Sequence, residues 1–271
     1  MRNSIGRLDE AEELYRKALG IRRRILGNEH PNTLLSMNNL ATVLQRNKDK
    51  WSEAEALFRE AVAIQRTKPS ENRYNLLLAL TNLGTLLRDE GKVEEAESTF
   101  REVVAGQLPG SGGEWGVVTT AREHLAWLLT NEKKWTEAAK QGEAVLEERR
   151  KTAKADPLAF GRALLVVGIS YQELGRAAEA LPLLREYVAT VQSAARKDPW
   201  LDAEALSNLG GCLIAVGRLE EAETTLLKSH EEFLKVKSAP PDKVRKAVDR
   251  LVSLYEKWNK PAEAAKWRAR Q

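Results

Sequence analysis

The chain has 271 residues, of which 42% are hydrophobic and 30% are charged, and its formal net charge is +4. Its apolar runs fall far short of the roughly 20 residues that span a bilayer, and no apolar signal segment follows Arg2, so we expect no membrane partner. The 43 basic and 39 acidic residues are interleaved, which argues against nucleic acid, and Cys212 is the single cysteine, which fits a reducing cytoplasm.

The dipeptide Glu-Ala marks an internal repeat. It occurs seven times, and successive alanines lie 43 residues apart once and 42 residues apart thereafter. A period of that length is typical of stacked helical units that contact only their neighbours. We therefore expect one elongated array over residues 1–271 rather than two compact domains. The alanines are Ala11, Ala54, Ala96, Ala138, Ala180, Ala222 and Ala264.

The first predicted helix, over residues 5–26, has no helix before it to pair with. Its apolar residues recur at helical spacing and give it a complete apolar face. We expect this face to contact either an upstream segment of a longer protein or a second copy of the chain. The face consists of Leu8, Ala11, Leu14, Tyr15 and Ala18.

Six helix pairs, each with a helix A and a helix B, follow the first helix. In the pair over 73–107, Leu80, Leu83 and Leu87 form the apolar stripe of helix A, and Ala96 and Phe100 mark that of helix B. The chain ends on a polar helix, as the cap of an array requires. In all we expect about thirteen helices. The pairs are 32–47 with 51–67, 73–90 with 93–107, 115–131 with 135–154, 157–174 with 177–196, 199–216 with 219–237, and 241–257 with 261–271.

Equivalent positions of the repeats hold similar residues for physical reasons. The turn between helices A and B favours residues that tolerate a left-handed backbone. A small residue on helix A allows close approach, and a bulky residue on helix B fills the space. Lys133 and Gly142 break these patterns, so we expect the fourth repeat to pack less regularly. The turn residues are Gly6, Asp49, Gly91, Lys133, Gly175, Gly217 and Asn259, the small ones Ala41, Gly84, Ala126, Gly168 and Gly210, and the bulky ones Tyr15, Phe58, Phe100, Leu184 and Leu226.

These residues resemble the tetratricopeptide repeat. The resemblance rests on a leucine followed by a small residue on helix A, an alanine 13 residues later, and a bulky residue four further on. The 42-residue length and the loop Gly27–Pro31 are similar to the kinesin-light-chain type of this repeat. The resemblance implies an all-α, right-handed superhelical solenoid of antiparallel helix pairs. It also implies a protein-interaction scaffold rather than an enzyme, with helix A residues lining a concave peptide-binding groove.

The candidate groove residues follow from that resemblance. In this family an asparagine just before the helix A leucine commonly binds a peptide backbone, because its amide both donates and accepts. The guanidinium groups of Arg46 and Arg88 can each bind a carboxylate through paired hydrogen bonds. In the middle of the groove, three apolar side chains replace polar ones and could bind an apolar side chain of a partner. The polar candidates are Asn38, Asn39, Thr42, Arg46, Asn82, Thr85, Arg88, His124 and Asn208, and the apolar ones are Trp127, Val166 and Ile169.

Each of these assignments has a structural alternative. The asparagines could instead bond to a neighbouring helix, and the apolar side chains could be covered by superhelical curvature or by the glycine-rich loop before Trp127. Replacing Asn39 and Asn82 by alanine separates the roles, because a groove role predicts weaker peptide capture with the helices intact.

No catalytic or metal site is predicted. The Pro109–Gly113 segment lacks the lysine and hydroxyl of a phosphate loop, and we interpret it as a linker. The three histidines lie in different repeats without a second ligand at metal-binding spacing, so neither a metal nor another cofactor is expected. Three functions remain open. The first is a scaffold that binds a protein or peptide. The second is an architectural module that forms a homodimer through the first helix, and the third is the regulatory tail of a larger signalling enzyme such as a protein kinase.

Overall fold

The computed structural model describes residues 2–67, 73–106, 115–195 and 198–270. Thirteen α-helices and no strand occur in these residues, and none of the helices is long and apolar enough to cross a bilayer. The fold is therefore an all-α helical repeat, as predicted. The helices are α1 (Arg2–Leu26), α2 (Pro31–Leu44), α3 (Trp51–Arg66), α4 (Arg73–Asp89), α5 (Val93–Ala105), α6 (Trp115–Asn131), α7 (Trp135–Thr152), α8 (Pro157–Glu173), α9 (Ala177–Ser193), α10 (Leu201–Ala215), α11 (Leu219–Leu234), α12 (Pro241–Lys257) and α13 (Pro261–Arg268).

Helix ends differ from the predicted ends by a few residues, for local reasons. Helix α2 ends at Leu44 rather than at 47, because the side chain of Asn47 accepts a hydrogen bond from the Asp49 N–H and starts a short 3-10 turn over Lys48–Lys50. The predicted turn at Gly6 is wrong, since α1 runs through that residue. The predicted linker over 109–113 lies outside the described residues.

The chain divides into two compact units, residues 1–128 and 129–271. In the first unit, α1, α2, α3 and α4 each pack on the next helix in chain order, and α2 also contacts α4. In the second unit, α7 to α12 do the same, and α10 contacts both α8 and α12. Within each unit, helices A of successive repeats therefore lie side by side.

The turns between helices A and B are mostly left-handed, as predicted. Gly91, Gly175 and Gly217 have φ between 77° and 81°, and the non-glycine residues Lys133 and Asn259 have φ of 60° and 55°. These five positions confirm the predicted turn. Lys133 adopts the left-handed conformation although it has a side chain, which costs about 1 kcal/mol relative to glycine.

Close approach of helices explains the small residues of helix A. A Cβ atom on Gly84 would lie 2.7 Å from Cε1 of Phe100, and one on Gly168 would lie 2.8 Å from Cγ of Leu184. Both bulky side chains are fully buried. The predicted match of a small residue with a bulky one is thus confirmed, because glycine leaves the volume that the facing side chain fills.

Gly142, which stands in the bulky slot of the fourth repeat, faces α8 at close range. A Cβ atom there would lie 2.9 Å from Cγ2 of Val167 and 3.1 Å from Cγ1 of Val166. Two β-branched residues of α8 thus leave no room for a larger residue on this side of α7. Helix α7 consequently lies close to α8 at this point.

Candidate functional site

Helix α2 presents three of the predicted residues on one side. Asn39, Thr42 and Arg46 lie at i, i+3 and i+7, with Arg46 in the turn that ends the helix. Asn39 is half-buried and Arg46 is exposed. Neither the Asn39 amide nor the Arg46 guanidinium makes a hydrogen bond or ion pair with any described residue. Both groups are therefore available to a ligand.

Helix α4 continues this surface. The Asn82 amide, Nδ2, donates to Oδ1 of Asn38 at 3.0 Å and so joins α4 to α2. Asn82 is half-buried and keeps its carbonyl oxygen and one N–H. Asn38 is only 7% exposed, so its predicted place on the groove surface is wrong. It lies in the contact between helices, which is the structural alternative for these asparagines.

The two threonines of this surface bond to their own helices. Thr42 Oγ1 donates to the carbonyl oxygen of Asn38 at 2.8 Å, and Thr85 Oγ1 donates to that of Thr81 at 2.9 Å. Each hydroxyl oxygen still has a lone pair to accept from a ligand N–H. The five side chains with an available polar group form what we call the polar face of the first unit. They are Asn39, Thr42, Arg46, Asn82 and Thr85.

Arg88, predicted to bind a ligand carboxylate, is already engaged. Its Nη2 donates to Oδ1 of Asp89 at 2.7 Å, and its Nη1 donates to Nδ1 of His124 at 2.9 Å. Because a guanidinium can only donate, Nδ1 of His124 accepts and the ring proton sits on Nε2. The His124 ring also lies 5.4 Å from that of Phe100. Arg46 is thus the cation of the polar face whose guanidinium has no hydrogen bond or ion pair with a described residue.

The three apolar candidates, Trp127, Val166 and Ile169, do not all belong to one unit. Trp127 is half-buried on α6 in the first unit, and Ile169 is half-buried on α8 in the second. Val166 is 4% exposed and packs on Gly142, so its predicted place in a groove is wrong. The close approach of α7 to α8 at Gly142 buries this side chain.

In the second unit, the chain's own side chains cover the equivalent surface of α10. Asn208 is 6% exposed, and its Oδ1 accepts from Nη2 of Arg250 at 2.8 Å. Nη1 of Arg250 donates to Oγ of Ser207 at 2.6 Å, and a Cβ on Gly211 would lie 3.0 Å from Nε of Arg250. Burial lowers the pKa of the Arg250 guanidinium. Asn208 is therefore buried and bonded to a residue of α12, and its groove role stays a prediction.

A second regular feature, which the sequence reasoning missed, is a row of ion pairs between successive helices B. Arginines donate to glutamates 36 or 37 residues later, as in Arg59 to Glu95 and Arg66 to Glu102, both at 2.7 Å. The spacing of arginine and glutamate in the sequence carries this signal. Exposed pairs of this kind contribute about 0.2–1 kcal/mol each. The others are Arg16 with Glu53, Arg23 with Glu60, Arg150 with Glu186 and Arg185 with Glu221.

Comparisons with known proteins agree with the helical repeat. Two family models, both described as tetratricopeptide repeat, match this chain, one at residues 2–67 and 38–108 and the other at 171–232. Together the matches span more than half of the chain. No curated protein sequence matches it.

Solved structures share the fold. BtubC (BKLC) from P. vanneervenii is 18% identical with a TM-score of 0.67, over 86% of this chain and 94% of that one. A putative kinesin light chain from Podosopora anserina with nearly identical TPR-like repeats is 24% identical with a TM-score of 0.61, over 78% and 100%. A tetratricopeptide repeat protein from Parabacteroides merdae is 18% identical with a TM-score of 0.58, over 97% and 85%. At these identities the likeness extends to the fold alone.

Proposed function

Because the chain belongs to the tetratricopeptide repeat family, we propose that it is a scaffold that binds an extended peptide segment of a partner protein on the polar face of the first unit. Proteins of this family generally act as interaction scaffolds. The observation that carries the proposal is the pair of uncommitted groups on α2, the Asn39 amide and the Arg46 guanidinium. A polar surface with unused hydrogen-bonding groups can bind a ligand without breaking internal contacts.

The spacing of these two groups suggests the form of the ligand. Asn39 and Arg46 are seven positions apart along α2 and the turn that ends it, which corresponds to about 10 Å along the axis. An extended peptide covers that distance in about three residues. Asn39 can donate to and accept from a peptide group, while Arg46 can hold a carboxylate through two parallel N–H bonds. The proposed ligand is therefore an extended segment with a carboxylate about three residues from the peptide group on Asn39.

The first unit is favoured over the second because of Arg250. On α10 the surface asparagine is buried and its oxygen already accepts from that guanidinium. A peptide would have to displace the half-buried Arg250 guanidinium there and break its hydrogen bonds to Ser207 and Asn208. The polar face of α2 and α4 carries no such obstacle.

We propose a binding role rather than a catalytic one, in the cytoplasm and without nucleic acid. Burial raises the pKa of the Cys212 thiol to about 11, so the nucleophilic thiolate is scarce at neutral pH. Within the described ranges, no three His, Cys, Asp or Glu side chains come close enough to hold a metal ion. A regulatory role beside an upstream enzyme domain stays a prediction of the family resemblance.

The test begins with selection of peptides from a random display library on the immobilised full chain. We expect selected peptides to carry an acidic side chain or a free C-terminal carboxylate. Arg46→Gln should lower their affinity about 10- to 100-fold, as loss of a charge-assisted hydrogen bond predicts. Arg245→Gln is the matched control, because Arg245 is equally exposed and unpaired among the described residues but lies on α12.

Two outcomes would reject the proposal. One is selection of peptides whose binding is unchanged by Arg46→Gln and by Asn39→Ala. The other is equal weakening by the Arg245→Gln control, which would indicate attraction by overall charge rather than a site. Circular dichroism of each variant checks that its helices are intact.

A further inference from the structure

Helix α1 carries an exposed row of large apolar side chains. Leu14 is 67% exposed, Ile21 is 51% exposed and Ile25 is 67% exposed. Their spacing of seven and four residues places all three on one narrow stripe, the pattern of a helix that packs lengthwise on another helix. Single exposed apolar residues are common, but a continuous stripe of them marks an interaction surface.

A few charged side chains beside this stripe make no ion pair or hydrogen bond with the described residues. From Leu8 onward, where the side chains of α1 are described, most charged ones are engaged. Glu12 pairs with Lys50, Lys17 with Glu13, and Arg23 with Glu60. Arg16 pairs with Glu12 and Glu53, and Arg22 donates to Ser36. Among the described side chains of α1, those with no hydrogen bond or ion pair are Asp9, Glu10 and Arg24.

These unpaired charges have opposite signs at opposite ends of the stripe. Glu10 and Arg24 are 14 residues apart, which is about 21 Å along a helix. A second copy of α1 that runs antiparallel would place each Glu10 opposite the Arg24 of its partner. The same alignment places each Leu14 within one residue, about 1.5 Å along the axis, of the position opposite the Ile21 of its partner. A parallel copy would instead bring like charges together.

From this self-complementarity we infer that two copies of the chain form a twofold dimer through antiparallel α1 helices. The axis passes close to Lys17, whose ammonium is already balanced by Glu13 at 2.6 Å in the same helix. Such an interface is isologous, because the same surface serves both partners. The apolar stripe supplies the affinity, and the two Glu10–Arg24 pairs set the direction.

This inference is independent of the peptide site. The polar face lies on α2 and α4, whereas the dimer uses the outward stripe of α1. A dimer would carry two polar faces on one particle. A partner with two recognition segments would then bind more tightly than either segment alone, by avidity.

Sedimentation of the full chain tests the dimer. We expect twice the 30.3 kDa chain mass at about 100 µM chain, a concentration at which even weak association is populated. Ile21→Glu should weaken association about 100-fold or more, because it buries two unpaired charges at the centre of the interface. Leu234→Glu is the matched control, since Leu234 is 70% exposed on α11 and should leave association unchanged. A chain that stays monomeric overturns the inference, and an upstream helix would then be the natural occupant of the stripe.

Charge reversal and cross-linking test the antiparallel direction. Glu10→Arg or Arg24→Glu alone should weaken the dimer about 10-fold, and the double variant should restore it. A cysteine introduced at Lys17 should form an interchain disulfide on mild oxidation, whereas one at Glu10 should not, because about 21 Å separates each Glu10 from its own copy. Cys212 is fully buried and does not interfere. Failure of the double variant to recover, or efficient cross-linking at Glu10, overturns the antiparallel dimer.

Discussion

Replacing Gly210 by alanine tests the close approach of helices most severely. A Cβ atom at this position would lie 2.4 Å from both Cγ and Cδ2 of Leu226, well inside the contact distance of about 3.5–4.0 Å. Leu226 is fully buried, so any shift of its side chain moves it against other core residues. Overpacking of a core costs about 1–3 kcal/mol, and alanine regains about 1 kcal/mol over glycine in a helix. We expect Gly210→Ala to lower the free energy of unfolding by up to about 2 kcal/mol.

Gly161→Ala is the matched control. Gly161 is also a buried glycine of a helix A in the second unit, but its Cβ would lie 3.4 Å from Cδ2 of Tyr187, an ordinary contact. This variant should gain about 0.5–1 kcal/mol from helix propensity. Urea unfolding monitored by circular dichroism measures both, with the slope checked because repeat arrays can depart from two-state unfolding.

A double variant identifies the clash as the cause. Leu226→Ala alone leaves a cavity and should cost about 2–5 kcal/mol. Adding Gly210→Ala to it should cost nothing further, because the new methyl group enters the vacated space. A Gly210→Ala protein as stable as the unsubstituted one, or an equal loss in both backgrounds, would refute the argument.

Three further predictions concern reactivity, pH and the backbone. The Cys212 thiol should resist alkylation in the folded protein and react after denaturation, since it is buried and its pKa is raised to about 11; rapid labelling of the native chain would contradict this. Hydrogen bonds from Lys50 and Arg16 lower the pKa of Glu12, so its contribution to stability is present above the ordinary value of 4.5 and is lost as the pH falls through the lower folded pKa. Glu12→Gln should therefore flatten the acid side of the stability profile, and an unchanged profile would refute the pairing. Lys133→Gly should raise the unfolding free energy by about 1 kcal/mol by relieving a left-handed φ of 60°, and a loss in urea titration would show that the side chain contributes more than the strain.

Periodicity alone was enough to predict the repeat and its main contacts. A leucine stripe, a small residue and a bulky residue recur about every 42 residues. Each serves the packing of paired helices, as at Gly84 and Phe100. The demands are local, because each repeat contacts only the repeats next to it. Sequence periodicity therefore predicts such contacts without knowledge of the rest of the chain.

The candidate site was only partly predictable, because exposure depends on a neighbouring repeat. Asn39 and Asn208 occupy the same position of the repeat, yet one is available and the other is buried under Arg250. The difference lies 42 residues further along, where the next repeat carries a long cation. Asn38 and Val166 were wrongly expected at the surface for a similar reason. The position of a residue in the repeat does not show how closely the next helix approaches it.

The most direct test of the proposed function is to observe the side chains of the polar face while a selected peptide binds. In a spectrum of the ¹⁵N-labelled chain, we predict that the amide signals of Asn39 and Asn82 and the guanidinium signal of Arg46 shift on addition of the peptide. The signals of Asn208 and Arg250 should stay in place, because these groups bond to each other beneath the surface of the second unit. Shifts confined to Asn208 and Arg250, with Asn39 and Arg46 unchanged, would contradict a peptide site on the first unit.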